Sequence, residues 1–365
     1  MKLHFYFARK FAVTFFGVFC VFFGIMTLLD IVDQLRRFDG SDISFGGASV
    51  LALLSVPETI YRILPLVVLL ATLALFLGLA RSSELVVTRA AGRSALRALI
   101  APALMALVIG MLGITVMNPI VAATQQQYEI RAQQYRDGEV RVLSISEEGL
   151  WLRQGDAQGQ SVIRAERANL DGSVFFNVTF LDFDSEGHPV RRIEAASAAL
   201  MSFSWALKDA KVWPLRGVLN PEKMAKTYDT LDITATLTTK QIRDSFGTPS
   251  SIPIWELPAF IDSLDRAGFS ARNHRVWLQM ELGMPAFLVA MVMIGAAFTM
   301  RHTRFGHTGQ MVLLALGLGL GVYFIRNFAQ ILGENGQIPI FLAAWSPPLA
   351  GIFMALGLLL HLEDG

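Results

Sequence analysis

The chain has 365 residues, 53% of them hydrophobic and 17% charged, and its mean hydropathy is +0.47. That balance excludes an ordinary soluble globular protein and indicates an integral membrane protein. With 31 bases against 30 acids the net charge is +1, so there is no basic excess to suggest nucleic acid as a partner, and the placement of the charges carries the information.

Six apolar runs approach the roughly 20 residues that a spanning helix requires. They are Phe11 to Ile31, Val56 to Ala80, Leu96 to Val116, Leu278 to Met300, Gln310 to Ile331 and Ile338 to His361. Three precede a long polar insert and three follow it. The first run is long enough to span and ends without a small-residue cleavage site, so it is expected to stay attached as span one. Its phenylalanines Phe15, Phe16, Phe19, Phe22 and Phe23 are expected to meet lipid. Cys20 lies in the same run and, as the lone cysteine, has no internal disulfide partner.

Bases near span ends set orientation, because Lys and Arg are retained on the cytoplasmic side. Lys2, Arg9 and Lys10 precede span one, Arg81, Arg89, Arg93 and Arg97 surround the loop after span two, and Arg301 and Arg304 follow span four. Both termini are thus expected in the cytoplasm and the insert outside. Arg36 and Arg37 fall on the other side of this rule, as do Arg266, Arg272 and Arg275; the latter three follow a long translocated domain, where the rule has little force, and the first pair needs a separate reason.

Between spans two and three, Ser82 to Gly92 (SSELVVTRAAG) has a capping serine, an acid in its first turn and a terminal glycine. It specifies a helix of about three turns, too short to cross a bilayer. Such a helix lies at the surface, where something outside the lipid can grip it.

The insert changes period. From Arg136 to about Leu237 short runs rich in Val, Phe, Ile and Thr alternate with polar residues, as in Val174 to Phe183. Asp171-Gly172, Asp184-Ser185-Glu186-Gly187 and Gln154-Gly155-Asp156 read as turns. The expectation is an extracytoplasmic all-β domain, a sandwich or a jelly roll. After it, Pro253 to Ala267 reads as an amphipathic helix resting on the membrane boundary or on the β domain, with Gly268 as its stop.

Charged groups within or beside spans are costly and therefore informative. Asp30, Asp33, Arg36 and Arg37 close span one, Glu58 and Arg62 open span two, and Arg326, Asn327 and Gln330 close span five. Either these bases face a cavity and bind an anionic lipid head, or they snorkel and form internal pairs such as Glu58 with Arg62. Arg131 and Arg136, beyond span three, extend the same rim. His302 and His307 lack carboxylate or thiolate partners nearby in sequence, so no metal is expected. Gly317 and Gly321 have the spacing of a close helix contact. There is no GxxxxGK[ST] phosphate loop and no GxSxG motif, so neither a nucleotide site nor an enzyme is expected.

DQLRR (Asp33 to Arg37), LLSVPE (Leu53 to Glu58) and RSSELVVTRAAGRS (Arg81 to Ser94), together with the order of spans and insert, resemble the LptF/LptG permeases of the lipopolysaccharide export ABC transporter, more the G branch than the F branch. The resemblance implies an α-helical membrane protein with six transmembrane helices (3+3) and an inserted all-β periplasmic jellyroll-like domain. Its divisions are 1–123 with a coupling helix at 83–92, a β domain at 124–250, a connector at 251–276 and the last three spans at 277–365. It implies an LptF-type permease, an LptB-type ATPase dimer and an LptC-type bitopic protein as partners. Lipopolysaccharide is the implied cargo and the Gram-negative inner membrane the implied location. No cofactor is implied.

By the same resemblance, Glu84, Leu85, Val86, Val87, Arg89 and Gly92 form the element that couples to the ATPase. Arg36, Arg37 and Arg131 fall on the basic rim that meets lipid phosphates in relatives, and Arg62, Arg136 and Arg326 join it by position. Asp30 and Glu58 are acidic where related G subunits are expected to offer bases, which suggests a lipid anchor of different charge. The rival readings are a mechanotransmission permease and a membrane-anchored scaffold or sensor carrying a periplasmic β domain.

Overall fold

The computed structural model describes residues 2–38, 43–84, 87, 94–135, 143–146, 149–156, 159–169, 172–201, 204–238, 242, 248–266, 269–300 and 308–363. The chain divides into a helical unit, residues 1–137, 250–254 and 272–365, and a sheet unit, residues 138–249 and 255–271.

The helical unit contains α1 (Lys2–Arg37), α2 (Phe45–Arg62), α3 (Leu64–Arg81), α4 (Ala95–Leu112), a π-helical turn (Gly113–Met117) and α5 (Asn118–Tyr135). Its second half, which follows the sheet unit, holds α7 (Arg272–Leu282), α8 (Met284–Thr299), α9 (Thr308–Glu334) and α10 (Ile340–Glu363). Among the described residues, five helices are long and apolar enough to cross a membrane, and α7 with α8, bent by 49° across one residue, makes up to six. The apolar core surrounds α8, whose Phe287, Leu288, Met291, Val292 and Ile294 are buried against α3, α4, α9 and α10. A helix apolar on every side is stable only at such a centre.

Three of the six expected spans are interrupted, each beside a proline. Span two breaks at Ile63, just before Leu64-Pro65. The helix after Leu96 passes through the π turn into Asn118-Pro119, and span four breaks at Gly283 before Met284-Pro285. Proline has no N–H and its ring crowds the carbonyl four residues back, which favours a break at these three places, although Pro57, Pro102, Pro347 and Pro348 lie inside α2, α4 and α10 without one. The expected second span, Val56 to Ala80, is therefore two helices, and its first half begins eleven residues earlier than expected, at Phe45.

Two expectations about span faces are corrected. Phe15 points inward with Phe7 and Phe11, a stripe at intervals of four, while Phe16 is 61% exposed. Gly317 and Gly321 face open space; the close contact in α9 belongs to Gly319, where an added Cβ would stand 2.3 Å from Leu69 Cδ2. Likewise a Cβ at Gly110 would stand 2.5 Å from Pro285 Cα, so α4 and α8 meet with backbone nearly touching.

In the sheet unit, seven antiparallel strands pair in sequential order: β1 (Leu143–Ser146), β2 (Gly149–Asp156), β3 (Gly159–Ala168), β4 (Val174–Asp184), β5 (Pro189–Leu200), β6 (Ser204–Pro214) and β7 (Lys226–Thr234). One face is apolar, with Leu150, Leu152, Ile163, Phe175, Phe180, Ile193, Trp205 and Leu207 buried. Asn177 and Asp209 have left-handed backbone, φ 51° and 52°, where the ladders skip them, which bends the strands locally. The turn expected at Gln154-Gly155-Asp156 is instead the end of β2. Gln154 is buried, accepting from Trp205 Nε1 at 2.9 Å and donating to Thr234 O at 3.1 Å. That side chain joins the second strand to the sixth and seventh. Asp184 to Gly187 is a turn, as expected.

The amphipathic segment after the insert forms α6 (Leu257–Arg266), which belongs to the sheet unit. It buries Leu257, Ile261 and Leu264 and packs beside β1, and Phe269 stacks edge-on against Phe175 at 6.4 Å. The expected stop at Gly268 lies outside the described residues.

Candidate functional site

Two polar sites lie at the ends of the helical unit, and a third is enclosed between them. The first involves the short helix after span two. Glu84 accepts from Lys10 Nζ at 2.8 Å, Ser82 Oγ at 2.8 Å and Tyr6 O–H at 2.9 Å. Burial by itself raises the Glu84 carboxyl, but these three donors outweigh it and hold the group below the ordinary glutamate range. Val87 N–H donates to Ser83 O at 3.2 Å, one helical turn, and the Val87 side chain is 67% exposed. Leu85, Val86, Arg89 and Gly92 lie outside the described residues. The next helix, α4, is capped by Ser94, whose hydroxyl accepts from Arg97 N–H at 3.3 Å.

The second site is the rim where α1, α2 and α5 meet. Arg37 donates to Tyr128 Oη at 2.9 Å, Tyr128 donates to Gln34 Oε1 at 3.2 Å, and Gln34 donates to Asp30 Oδ2 at 3.3 Å. Ser55 completes this chain by donating to the same Asp30 oxygen. Phe38, Leu51, Tyr128 and Ala132 form a small apolar cluster beneath it. Arg36, Arg37 and Arg131 are exposed, and Arg131 follows Tyr128 by three residues on the same helical face. Arg62 is exposed and paired with Glu58 at 2.8 Å, the i, i+4 arrangement. Glu58 also accepts from Ser250 Oγ at 3.2 Å. Asp30 and Glu58 are thus both engaged by neighbouring side chains. Arg136, His302 and His307 lie outside the described residues.

Arg326 is placed differently from the other rim bases. It is 8% exposed, with its guanidinium 5.2 Å from the centre of the Phe287 ring. Its charge acts on Glu281, which is 1% exposed. Glu281 accepts from the Tyr61 hydroxyl and, at 3.4 Å, from Asn118 Nδ2. Sequence reading passed over Glu281 because it precedes the purely apolar part of span four. The signal available was an isolated acid four residues before Pro285, in a chain with Tyr61 four before Pro65.

The fold and these sites define a polytopic membrane protein with an antiparallel sheet domain inserted between its helical halves. Residues 5–361 match the family model described as lipopolysaccharide export system permease LptF/LptG, and the chain belongs to that family. It is 23% identical over 338 residues to lipopolysaccharide export system permease protein LptG of Escherichia coli (strain K12), covering 90% of this chain and 87% of the relative. It is 23% identical over 358 residues to the protein of that name from Haemophilus influenzae, covering 96% and 95%. Family membership makes the chain a non-catalytic permease subunit of a lipopolysaccharide-export ABC transporter, with ATP hydrolysis in a separate chain.

Proposed function

We propose that this chain is the G-type half of a two-permease transporter that lifts lipopolysaccharide out of the outer leaflet of the inner membrane. An LptF-type permease forms the other half of the cavity. An LptB-type ATPase dimer grips the segment from Glu84 to Gly92, and an LptC-type bitopic protein receives the lipid. In this reading both termini are cytoplasmic and the sheet domain is periplasmic. The working divisions are 1–123 with its lever at 83–92, 124–250, 251–276 and 277–365.

Closure of the ATPases pushes on the lever, spans two and three carry the movement inward, and the cavity narrows beneath the lipid. Arg36, Arg37, Arg62, Arg131 and Arg136 meet the anionic head group, since guanidinium groups form paired bonds with phosphate. Arg326 contributes to the same field from inside, balanced by Glu281. The sheet, whose second strand is tied to its last two through Gln154, acts as a jellyroll-like slide for the lipid.

The observation that carries this reading is the joining of Arg37 to Tyr128 with Arg131 one turn away, which sets bases from spans one and three around one exposed spot. The test is Glu84→Arg in the reconstituted transporter. ATP hydrolysis should continue while lipid release stops; normal coupled release would refute the lever assignment.

A further inference from the structure

Two proline breaks and the π turn before Pro119 converge on one enclosed cluster of side chains. Tyr61 lies four residues before Pro65, Glu281 four before Pro285, and Asn118 directly before Pro119. Each proline removes one backbone donor and, in the first two cases, displaces the carbonyl of the residue that carries the cluster side chain. The side chains then bond across the gaps. Tyr61 and Asn118 both donate to the same oxygen, Glu281 Oε2.

The cluster extends further on two sides. Asn118 Oδ1 accepts from Ile254 N–H at 2.9 Å, so the strap 250–254 is fastened to the same residue. From span five, Arg326 supplies the opposite charge, and Tyr323 O–H donates to Arg62 O, just before the break in span two, at 3.3 Å. Glu281 and Asn118 are 1% and 2% exposed.

A carboxylate enclosed among apolar helices costs several kcal/mol unless paired and hydrogen-bonded, and leucine would pack there more cheaply. Here the carboxyl joins elements that are otherwise held mainly by apolar contacts. Apolar contacts between helices slide with little resistance, whereas a shared hydrogen-bonded acceptor holds a fixed distance between the donors.

We propose that Glu281 is a positioning residue for lipid extraction. Through Tyr61 and Asn118 it ties the break in span four to the break in span two and to the π turn of span three, with Arg326 of span five as the nearby opposite charge, so that displacement begun at the lever moves the two helical halves together. This rests on the functional reading above and names the internal linkage that reading requires.

The experiment uses the complete transporter, with partner permease and ATPase, in proteoliposomes loaded with lipopolysaccharide. ATP hydrolysed and lipid released are measured on the same sample for wild type, Glu281→Gln, Tyr61→Phe and Glu84→Arg. Glu281→Gln keeps the shape and replaces the carboxyl by an amide; Tyr61→Phe removes one donor with little change in packing and serves if the first variant fails to assemble. Lipid released per ATP should fall about fivefold or more in both, the lower end for coupling between distant sites, with hydrolysis within about twofold of wild type. Wild-type lipid per ATP in the assembled variants overturns the inference, even if thermal stability drops, because that pattern marks a purely structural contact. If Glu84→Arg also releases lipid normally, the functional reading fails with it; if only Glu84→Arg uncouples, the reading stands and the linkage does not.

Discussion

Lys10 Nζ lies 2.8 Å from Glu84 Oε1, so the start of span one is joined to the head of the segment proposed as the lever. Tyr6, one turn earlier on α1, holds the other carboxylate oxygen at 2.9 Å. Span one carries Arg36 and Arg37 at its opposite end, so in the proposed mechanism the contact would give the lever a route to that end besides spans two and three. Both side chains are about a third exposed, so the pair adds less than about 1 kcal/mol to stability, and its value lies in connection. Lys10→Met should leave the unfolding temperature within a few degrees of wild type while lowering lipid release per ATP in proteoliposomes. A charge exchange, Lys10→Glu with Glu84→Lys, should restore part of the contact but not the grip of the ATPase, because the partner meets the wrong charge.

The same pair sets a pH dependence. Glu84 is held below its ordinary value when folded, so its contribution is present above the unfolded-state value and is lost as pH falls through the folded-state value. Wild type and Glu84→Gln, unfolded in parallel in mild detergent, should differ at neutral pH and converge in acid on the low side of ordinary glutamate titration. A gap that widened in acid would contradict the assignment.

At the rim, Tyr128 is the shared partner of Arg37 and Gln34, and it is 8% exposed. Tyr128→Phe leaves the buried Gln34 amide oxygen without its donor, at a cost of about 1 to 3 kcal/mol. It also releases Arg37, and photocrosslinking of lipopolysaccharide near position 37 should weaken or spread to neighbouring sites. Arg36→Glu with Arg37→Glu should reduce lipid capture further, since it reverses charge where the reading places phosphate; unchanged crosslinking would count against both arginines.

Glycine contacts provide a paired test of helix packing. Gly110→Val places a branched side chain against the Pro285 backbone, which has no rotamer to yield, and should destabilise by about 1 to 3 kcal/mol or more. Gly317→Ala, where nothing lies within 4 Å, should be neutral or slightly stabilising, since alanine favours helix. Thermal unfolding of the two variants side by side decides it.

In the sheet unit, Gln154→Leu removes the acceptor of the buried Trp205 N–H and the donor to Thr234 O. The expected cost is about 1 to 3 kcal/mol. Hydrogen exchange on the intact protein should quicken first in β6 and β7. If exchange changed only in β2, the two ends of the sheet would not be joined as these bonds imply.

Much of this molecule was legible in one dimension because hydrophobic length and period are local properties. Runs such as Gln310 to Ile331 must be helices in lipid, where every backbone group needs an internal partner, and Val174 to Phe183 must be a strand because it alternates over a bulky apolar face. The motif around Glu84 and the DQLRR segment were enough to mark the family. What the sequence could not disclose was which side chains meet. Glu281 stood out from its neighbours only when Tyr61, Asn118 and Arg326, scattered over more than two hundred positions, came to one point. Gly319 and Gly317 are indistinguishable by spacing and separated only by which face turns toward Leu69. Gln154 looked like part of a turn until Trp205 arrived from fifty-one residues away. Local sequence determines what a segment is; partners are chosen by packing, which depends on every other segment at once, and the linkages that couple the parts of this permease belong to that second kind.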